Sequence, residues 1–527
     1  MSGSRGLARA GLIVSAAFLV ARLLGFVRIL VIVNTFNVGP ELDEFFAAFR
    51  IPDLIFQLVA AGALSSALVP IVSGLLGSNE EARAWRVVST VTNLLLVGLF
   101  VAAAIAFALA PVVVPIITPG FDEAGWARTT DLTRIMLLSP MFLALGSVAS
   151  SLLNARGRFA ASAVAPIVYN LAIIGGALLL GPTYGVIGLA IAVVTGSLMH
   201  LLIQLPNVRA LGFRYVPRID LGDASARTAL ALMGPRALGL GATQITFLVM
   251  TSLATEQGTG ALTAFNTAFT LLQIPIGLIG VPLGIVVLPA LSREAALGRV
   301  AEFAALVSRA VRLLLFVMLP ITGISIVLRH DIVELLFGYG RFDARAVDQT
   351  TTTFLTFLAG LTAHSLIAVL ARAFYARQDT RTPVLAAVLA VVVNTTLGIV
   401  LARPLGLPGL GLAIAVAAWV ETAVLFVLLE RRVPGLALRP VASLAARALL
   451  VAVVASLAAG VVSGALDGVL GGGLGAPISR VMLLARMVVV TVAWALVAGG
   501  MALVLRIDEM GSIVGVMIDA FRRPRRS

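Results

Sequence analysis

The sequence contains no cysteine, and all 38 of its basic residues are arginines, because lysine is also absent. The first absence excludes disulfides and thiolate metal sites. Charge of either sign is scarce as well. Charged residues make up 12% of the chain, against about 25% in a soluble domain. Hydrophobic residues reach 60% and mean hydropathy is +1.07, which excludes a soluble globular protein. Catalytic signatures are missing too: there is no HExxH, no GxxxxGK[ST] and no GxSxG. His200, His330 and His364 are too scattered for a metal site, and GYGRF at 338–342 lacks a phosphate-loop context. No metal or cofactor is expected, and no enzyme activity. Without a nucleotide motif, any transport is expected to draw on the membrane potential, an ion gradient or the cargo gradient.

Long apolar runs recur along the whole length, continuous rather than alternating, so helices and not a β-barrel cross the bilayer. The spans are placed at 10–34, 45–75, 87–117, 133–153, 160–180, 186–205, 228–252, 262–290, 311–329, 350–371, 383–402, 409–429, 445–466 and 482–505. The expected fold is therefore an all-α polytopic membrane protein of fourteen transmembrane helices. With the N-terminus cytoplasmic, arginine is about threefold richer on the inner side, which supports an even number of spans with both termini inside. The formal charge of +13 is spread over many short loops, so nucleic acid is not an expected partner.

The chain also repeats itself. GLAIAV occurs at 188–193 and again at 411–416, an offset of 223. Ala155-Arg156 and Ala376-Arg377 lie 221 apart, Asn170 and Asn394 224 apart, Pro70 and Pro289 219 apart, and Arg22 and Arg236 214 apart. Six spans per copy is an even number, so both copies share one membrane orientation. The expected organisation is two parallel six-helix lobes around a central cavity, at 1–220 and 221–435. Residues 436–527 add two C-terminal helices and a short basic tail facing anionic lipid.

Charged residues inside apolar runs are the candidate functional positions, because each costs several kcal/mol in hydrocarbon (roughly 2.5–3.5 for arginine) unless it faces a cavity or a partner. Arg22, Arg28, Arg50 and Arg236 are the candidates for binding an anionic cargo. Arg22 and Arg28 are six residues apart, about 240° around a helix and about 9 Å along it. They line one cavity only if the helix bends, for which Gly25 offers a place; snorkelling or structural pairing is the plainer alternative. Asp43, beside Glu44 at a helix start, is a candidate gating or ion-coupling acid, although helix starts attract acids for local reasons. Arg50, seven residues on, is assigned either to the cargo or to an ion pair at the outer mouth. Glu421 is a second coupling candidate, within the twelfth span, and Gln244 and Gln273 either line a cavity or bond between helices.

Several of these stretches resemble the MurJ/MviN family. They are ARLLGFVR at 21–28, DEFFAAFRIPDL at 43–54, GALSSALVP at 62–70 and YARQDTRTP at 375–383. Further likeness runs through Asn154-Ala-Arg156, Pro166, Asn170, Gly284 to Pro289 and Phe337 to Gly340. The resemblance implies the multidrug/oligosaccharidyl-lipid/polysaccharide exporter fold and a lipid II flippase working by alternating access in the bacterial cytoplasmic membrane. It further implies a groove at the last two helices for a polyprenyl tail, and arginines of the first, second and eighth helices on the pyrophosphate and headgroup. Expected partners are a lipid-linked anionic precursor, membrane lipids and cell-wall synthesis enzymes, with the protein itself a monomer. Arg22, Arg28 and Asp43 match family positions. Ile29, Phe56, Gln57, Ala61 and Thr270 depart from it, the last standing where the family has its eighth-helix arginine. The alternatives are a flippase for another lipid-linked oligosaccharide and an ion-coupled drug or small-solute antiporter of the same fold. From other classes, a polyprenyl-phosphate transferase would need clustered acids for a metal, which are absent, and a non-transporting scaffold is the last option.

Overall fold

The computed structural model describes residues 2–59, 63–436, 438–469, 479–507 and 509; the side chains of 2–15, 18, 59, 63–67, 234–243, 438 and 469 lie outside that description. Every regular element among the described residues is helical. The first half runs α1 (Ser2–Phe36), α2 (Pro40–Val59), α3 (Ala63–Gly77), α4 (Glu81–Ile117), α5 (Glu123–Met136), α6 (Ser139–Ala155), α7 (Phe159–Leu179), α8 (Gly181–Leu202) and a short α9 (Leu205–Arg209). The second begins with α10 (Ala224–Thr255) and α11 (Ala261–Pro275), which passes through a π-turn at Ile276–Gly280 into α12 (Val281–Ala296). It continues with α13 (Val300–Val327), α14 (Arg329–Phe337), α15 (Ala344–Leu358), α16 (Leu361–Ala376), α17 (Arg381–Leu405) and α18 (Leu407–Arg432). Two further helices, α19 (Leu438–Val469) and α20 (Arg480–Val504), end the described chain's regular structure.

All fourteen expected spans overlap helices. Among the described residues eleven helices are long and apolar enough to cross a membrane, or twelve if α15 and α16, bent by 45°, form one span. In the other two expected spans, 45–75 and 228–252, residues 60–62 and the side chains of 63–67 and 234–243 lie outside the description, so only Leu68–Gly77 and Gln244–Thr255 register there, as shorter apolar pieces. The lipid-facing pattern is clearest on α4, where Val97, Phe100, Val101, Ile105, Val112 and Ile116 are all exposed at helical spacing. The N-terminal part of that helix is buried nearly all round, from Ala84 to Thr92.

The repeat seen in the letters recurs in the backbone. Helix α6 ends in a left-handed turn at Gly157 (φ 69°) and α16 in the same turn at Gln378 (φ 60°), 221 residues on. In both, the amide two residues past the cap returns to a carbonyl five residues back, Arg158 to Leu153 and Asp379 to Phe374. The turn after α3, at Asn79, recurs after α12 at Gly298, an offset of 219. Sharpest of all, Gly185 (φ 57°, ψ −143°) and Gly406 (φ 63°, ψ −142°) share a conformation that any side chain strongly disfavours. Three residues beyond each, a Cβ on Gly188 or Gly409 would collide with the carbonyl of Leu180 or Leu401. This geometry corrects the register of the repeat. Gly188 is equivalent to Gly409 and not to Gly411, so the identical hexapeptides are two residues out of step. An apolar helix face tolerates such a slip in its letters, whereas a glycine at a forbidden φ does not.

The described chain falls into two compact units, Met1–Ala264 with Tyr339–Asp343, and Phe265–Gly338 with Ala344–Ser527. In the first unit α1 lies along α7, and α10, the first helix of the second repeat, packs on α2, α3 and α4. In the second unit α13 packs on α16 and α19, and α19 on α20.

Candidate functional site

The polar residues of α2 are organised by α10 and the turn that follows it. Along α2, Asp43, Arg50, Asp53 and Gln57 recur at spacings of seven, three and four, which places them on one helical stripe. Gln244, Phe247 and Thr251 form the matching stripe on α10. The two run antiparallel. Arg50 Nε donates to the Thr251 hydroxyl at 2.8 Å, and its guanidinium lies 5.2 Å from the Phe247 ring centroid. One turn on, Asp53 accepts from the Gln244 amide at 3.3 Å and from Gln57 at 3.4 Å. Gln244 is thus an inter-helix bonder. Arg50 and Asp53 lie close enough to interact electrostatically.

Asp43 sits at the head of this stripe, 1% exposed. Its carboxylate accepts from the backbone amide of Gly260 at 2.6 Å and from the amide and hydroxyl of Thr263, both at 2.7 Å. Those amides belong to the first turn of α11, so Asp43 caps a helix from another part of the chain, where an anion is favoured by the helix dipole. Its neighbour Glu44, also buried, is taken by Arg128 in a two-pronged pair at 2.6 and 2.9 Å. The two acids that begin α2 therefore have separate partners.

The first-helix arginines diverge, as their 240° separation requires. Arg28 is half-buried, 5.8 Å from the ring centroid of Tyr169 on α7, while Arg22 is exposed. Asn170, next to Tyr169, donates to the Ala21 carbonyl at 3.3 Å and faces Gly25, which fixes α1 on α7. Tyr169 is within electrostatic reach of both Arg28 and Asp53. Arg28, Tyr169, Asp53 and Arg50 therefore share one neighbourhood inside the first unit. The side chain of Arg236 lies outside the described residues. Glu421 is half-buried on α18 in the second unit, with no hydrogen bond or ion pair among the described residues. Of the α11 positions weighed from the sequence, Gln273 is exposed and the Thr270 hydroxyl bonds back to Asn266.

Tyr169 and Thr251 carry no signal in the sequence. Each is an ordinary residue on an apolar helix, and only packing puts it against a guanidinium. Two further acids are structural. Asp223 caps α10 and is gripped by Arg83 (2.7 and 3.3 Å), which holds its carboxyl below the usual carboxylate range. Asp379, in the YARQDTRTP stretch, is partly desolvated, which raises its pKa. Bonds from the Thr382 hydroxyl and amide and from Arg432 outweigh that and hold the carboxyl low. Among the described residues no group of three or more histidines and acids is placed to hold a metal ion.

A duplicated helical bundle that keeps guanidiniums within its apolar helices is the build of a multi-pass membrane transporter. Solved structures share that fold. The fold is similar to a lipid II flippase MurJ in an inward closed conformation, with a TM-score of 0.76 and 20% identity over 94% of this chain and 99% of that one. It is also similar to an inward-facing multidrug resistance MATE family transporter of the MOP superfamily, at 0.65 and 15% over 79% and 95%. The sequence is more specific. The family model described as lipid II flippase MurJ matches residues 32–474. The Burkholderia cenocepacia lipid II flippase MurJ is 31% identical over 434 residues, 80% of this chain and 84% of its own. A probable lipid II flippase MurJ of Rhizobium tropici is 32% identical over 428 residues, 80% of each. The chain belongs to the MurJ lipid II flippase family.

Proposed function

We propose that the protein carries lipid II, the polyprenyl-pyrophosphate-linked peptidoglycan precursor, from the inner to the outer leaflet of the bacterial cytoplasmic membrane for cell-wall synthesis, with both termini in the cytoplasm. Family membership supports the cargo. The single observation that carries the mechanism is Arg50, a guanidinium within an apolar helix whose partners include a neutral hydroxyl and an aromatic face. A phosphate oxygen carries full negative charge and can take both prongs of the guanidinium fork, which a neutral hydroxyl cannot. An arriving pyrophosphate therefore displaces Thr251 from Arg50 without leaving a buried charge stranded. Arg28, over a π-face rather than against a carboxylate, is the second anion ligand. Arg22 and Arg236 are assigned to binding the same anionic cargo.

Asp43 acts as the latch of the cycle. Its three bonds hold the first turn of α11 to α2, and opening that end of the protein requires breaking them. Glu421 is the coupling acid: a half-buried carboxylate without a fixed partner can take up a proton or cation as its surroundings change. One charge moved through 100 mV supplies about 2.3 kcal/mol. The protein works as a monomer beside the enzymes that consume the flipped precursor.

Phe56, Gln57 and Thr270, at positions where the family has arginine, favour a second cargo: another lipid-linked oligosaccharide with fewer anionic contacts. Proteoliposomes separate the two. Under an imposed potential, protein-dependent translocation of lipid II that falls in Arg28→Ala and Arg50→Ala is expected. Transport of a different lipid-linked sugar but not lipid II would overturn the cargo assignment.

A further inference from the structure

The repeat has diverged most visibly at one place, beneath the paired turns after α3 and α12. In the first unit this position is solid. Leu75, Leu76 and Trp85 pack with Leu152 and Leu153, and the segment after α9 lays Leu211 and Phe213 over them, Phe213 edge-on to Trp85 at 5.5 Å. At the offset of 219 given by the two turns, Leu75, Leu76 and Trp85 become Glu294, Ala295 and Ala304. The second unit accordingly has a cavity of about 730 Å³ there, lined by Glu294, Ala295, Arg299, Phe303, Tyr375 and Arg377 among others. That volume lies in the range of small-molecule sites, about 300–1,000 Å³.

The charges in it are also rearranged. In the first unit Arg156 is paired with Glu81. Its counterpart Arg377 finds Val300 at the position of Glu81, and turns instead to the Arg432 carbonyl at 2.9 Å. Arg299 replaces Glu80, and its Nη1 forms an ion pair at 3.6 Å with the buried Glu294 Oε2, too long for a hydrogen bond, so that oxygen has no hydrogen-bond donor. The cavity thus offers two guanidiniums and one carboxylate oxygen that lacks a donor. Two apolar lining residues, Val300 (46% exposed) and Tyr375 (44%), stand open beside these charges.

We propose that this cavity binds an aminoalkyl phosphate, as carried by the headgroup of phosphatidylethanolamine. The phosphate bonds to Arg377 and Arg299, the ammonium donates to Glu294 Oε2, and the acyl chains leave over Val300 and Tyr375. The site is separate from the arginines assigned to the cargo, so it stands whatever the cargo proves to be.

Purified full-length protein is reconstituted in vesicles of phosphatidylglycerol, with and without phosphatidylethanolamine, and retained lipid is read by native mass spectrometry. Soluble O-phosphoethanolamine and inorganic phosphate are titrated by calorimetry in parallel. Phosphatidylethanolamine is expected to be retained over phosphatidylglycerol. Arg377→Gln should weaken both soluble probes by about tenfold or more. Glu294→Gln should weaken phosphoethanolamine but not phosphate, abolishing the preference. Restoring the first unit's residues with Glu294→Leu and Ala295→Leu should fill the cavity and remove binding without lowering the melting temperature. Binding of the soluble probe with no lipid preference would place the same chemistry on a cytosolic ligand. A lipid preference that survives Glu294→Gln, or probe affinities unchanged by Arg377→Gln, overturns the proposal, as does failure of the wild type to bind either probe.

Discussion

Asp43 and Thr263 are joined twice, through the amide and the hydroxyl of the threonine, each 2.7 Å from the same carboxylate oxygen. With Gly260 the acid serves three donors at the first turn of α11. Asp43→Ala leaves two backbone amides without an acceptor and should cost about 1.5–3 kcal/mol. Thr263→Val removes only the hydroxyl and should cost about 1 kcal/mol. Thermal unfolding in detergent orders the two variants. If the bonds latch the transport cycle, Thr263→Val should also lower the hydrogen-exchange protection of the Gly260 and Thr263 amides.

Arg50 is predicted to need its shape as well as its charge. Lysine keeps the charge but loses the planar fork that spans Thr251 and a phosphate. Arg50→Lys should therefore fold and insert normally, with an initial translocation rate down by about tenfold, the equivalent of one charge-assisted bond. Thr251→Val should reduce the rate far less. A Lys variant as fast as wild type would remove Arg50 from the cargo path.

The paired glycines make a stability prediction. Gly185→Ala and Gly406→Ala place a Cβ where φ is near +60° and ψ near −143°, and each should cost about 1–3 kcal/mol. At Gln378, by contrast, the left-handed turn carries a side chain where the first repeat has Gly157. Gln378→Gly should raise stability by about 1 kcal/mol or less, since the relief of strain is offset by added chain entropy. Melting temperatures of the three variants test the set together.

The Arg83–Asp223 pair gives a pH dependence of known sign. Arg83 holds the Asp223 carboxyl below the ordinary aspartate range, so the contribution of the pair is complete above the unfolded pKa, about 3.9, and is lost as pH falls through the lower folded value. The connector carrying Asp223 is tied along α4 by bonds to Ser89, Thr90 and Asn93. The hydrogen-exchange protection of 212–223, relative to the intrinsic rate at each pH, should fall as pH drops below about 4, and Asp223→Asn should show the lowered protection at every pH.

Glu421 is predicted to govern coupling and not folding. Glu421→Gln should leave the melting temperature nearly unchanged, because no hydrogen bond or ion pair is lost among the described residues. It should remove the dependence of translocation on whichever gradient drives it, measured by collapsing proton and cation gradients in turn.

The all-helical membrane class and the duplication were legible in the letters, because a bilayer demands long apolar segments and a duplicated gene keeps its spacing. The family motifs were legible for the same reason: Asp43, Arg50 and the YARQDTRTP turn are polar groups set in apolar surroundings. Gly157 and Gln378, or Gly185 and Gly406, declared themselves as repeat partners only in the backbone, where φ and not residue identity marks equivalence. Composition therefore decided what kind of protein this is, since solvent acts on every residue one at a time. The tertiary structure alone decided what each buried charge meets: Thr251 for Arg50, the end of α11 for Asp43, and a hollow for Arg377 where its twin Arg156 has Glu81. Those pairings join residues far apart along the chain. Their partners are set by which helices pack together, a property no local pattern records.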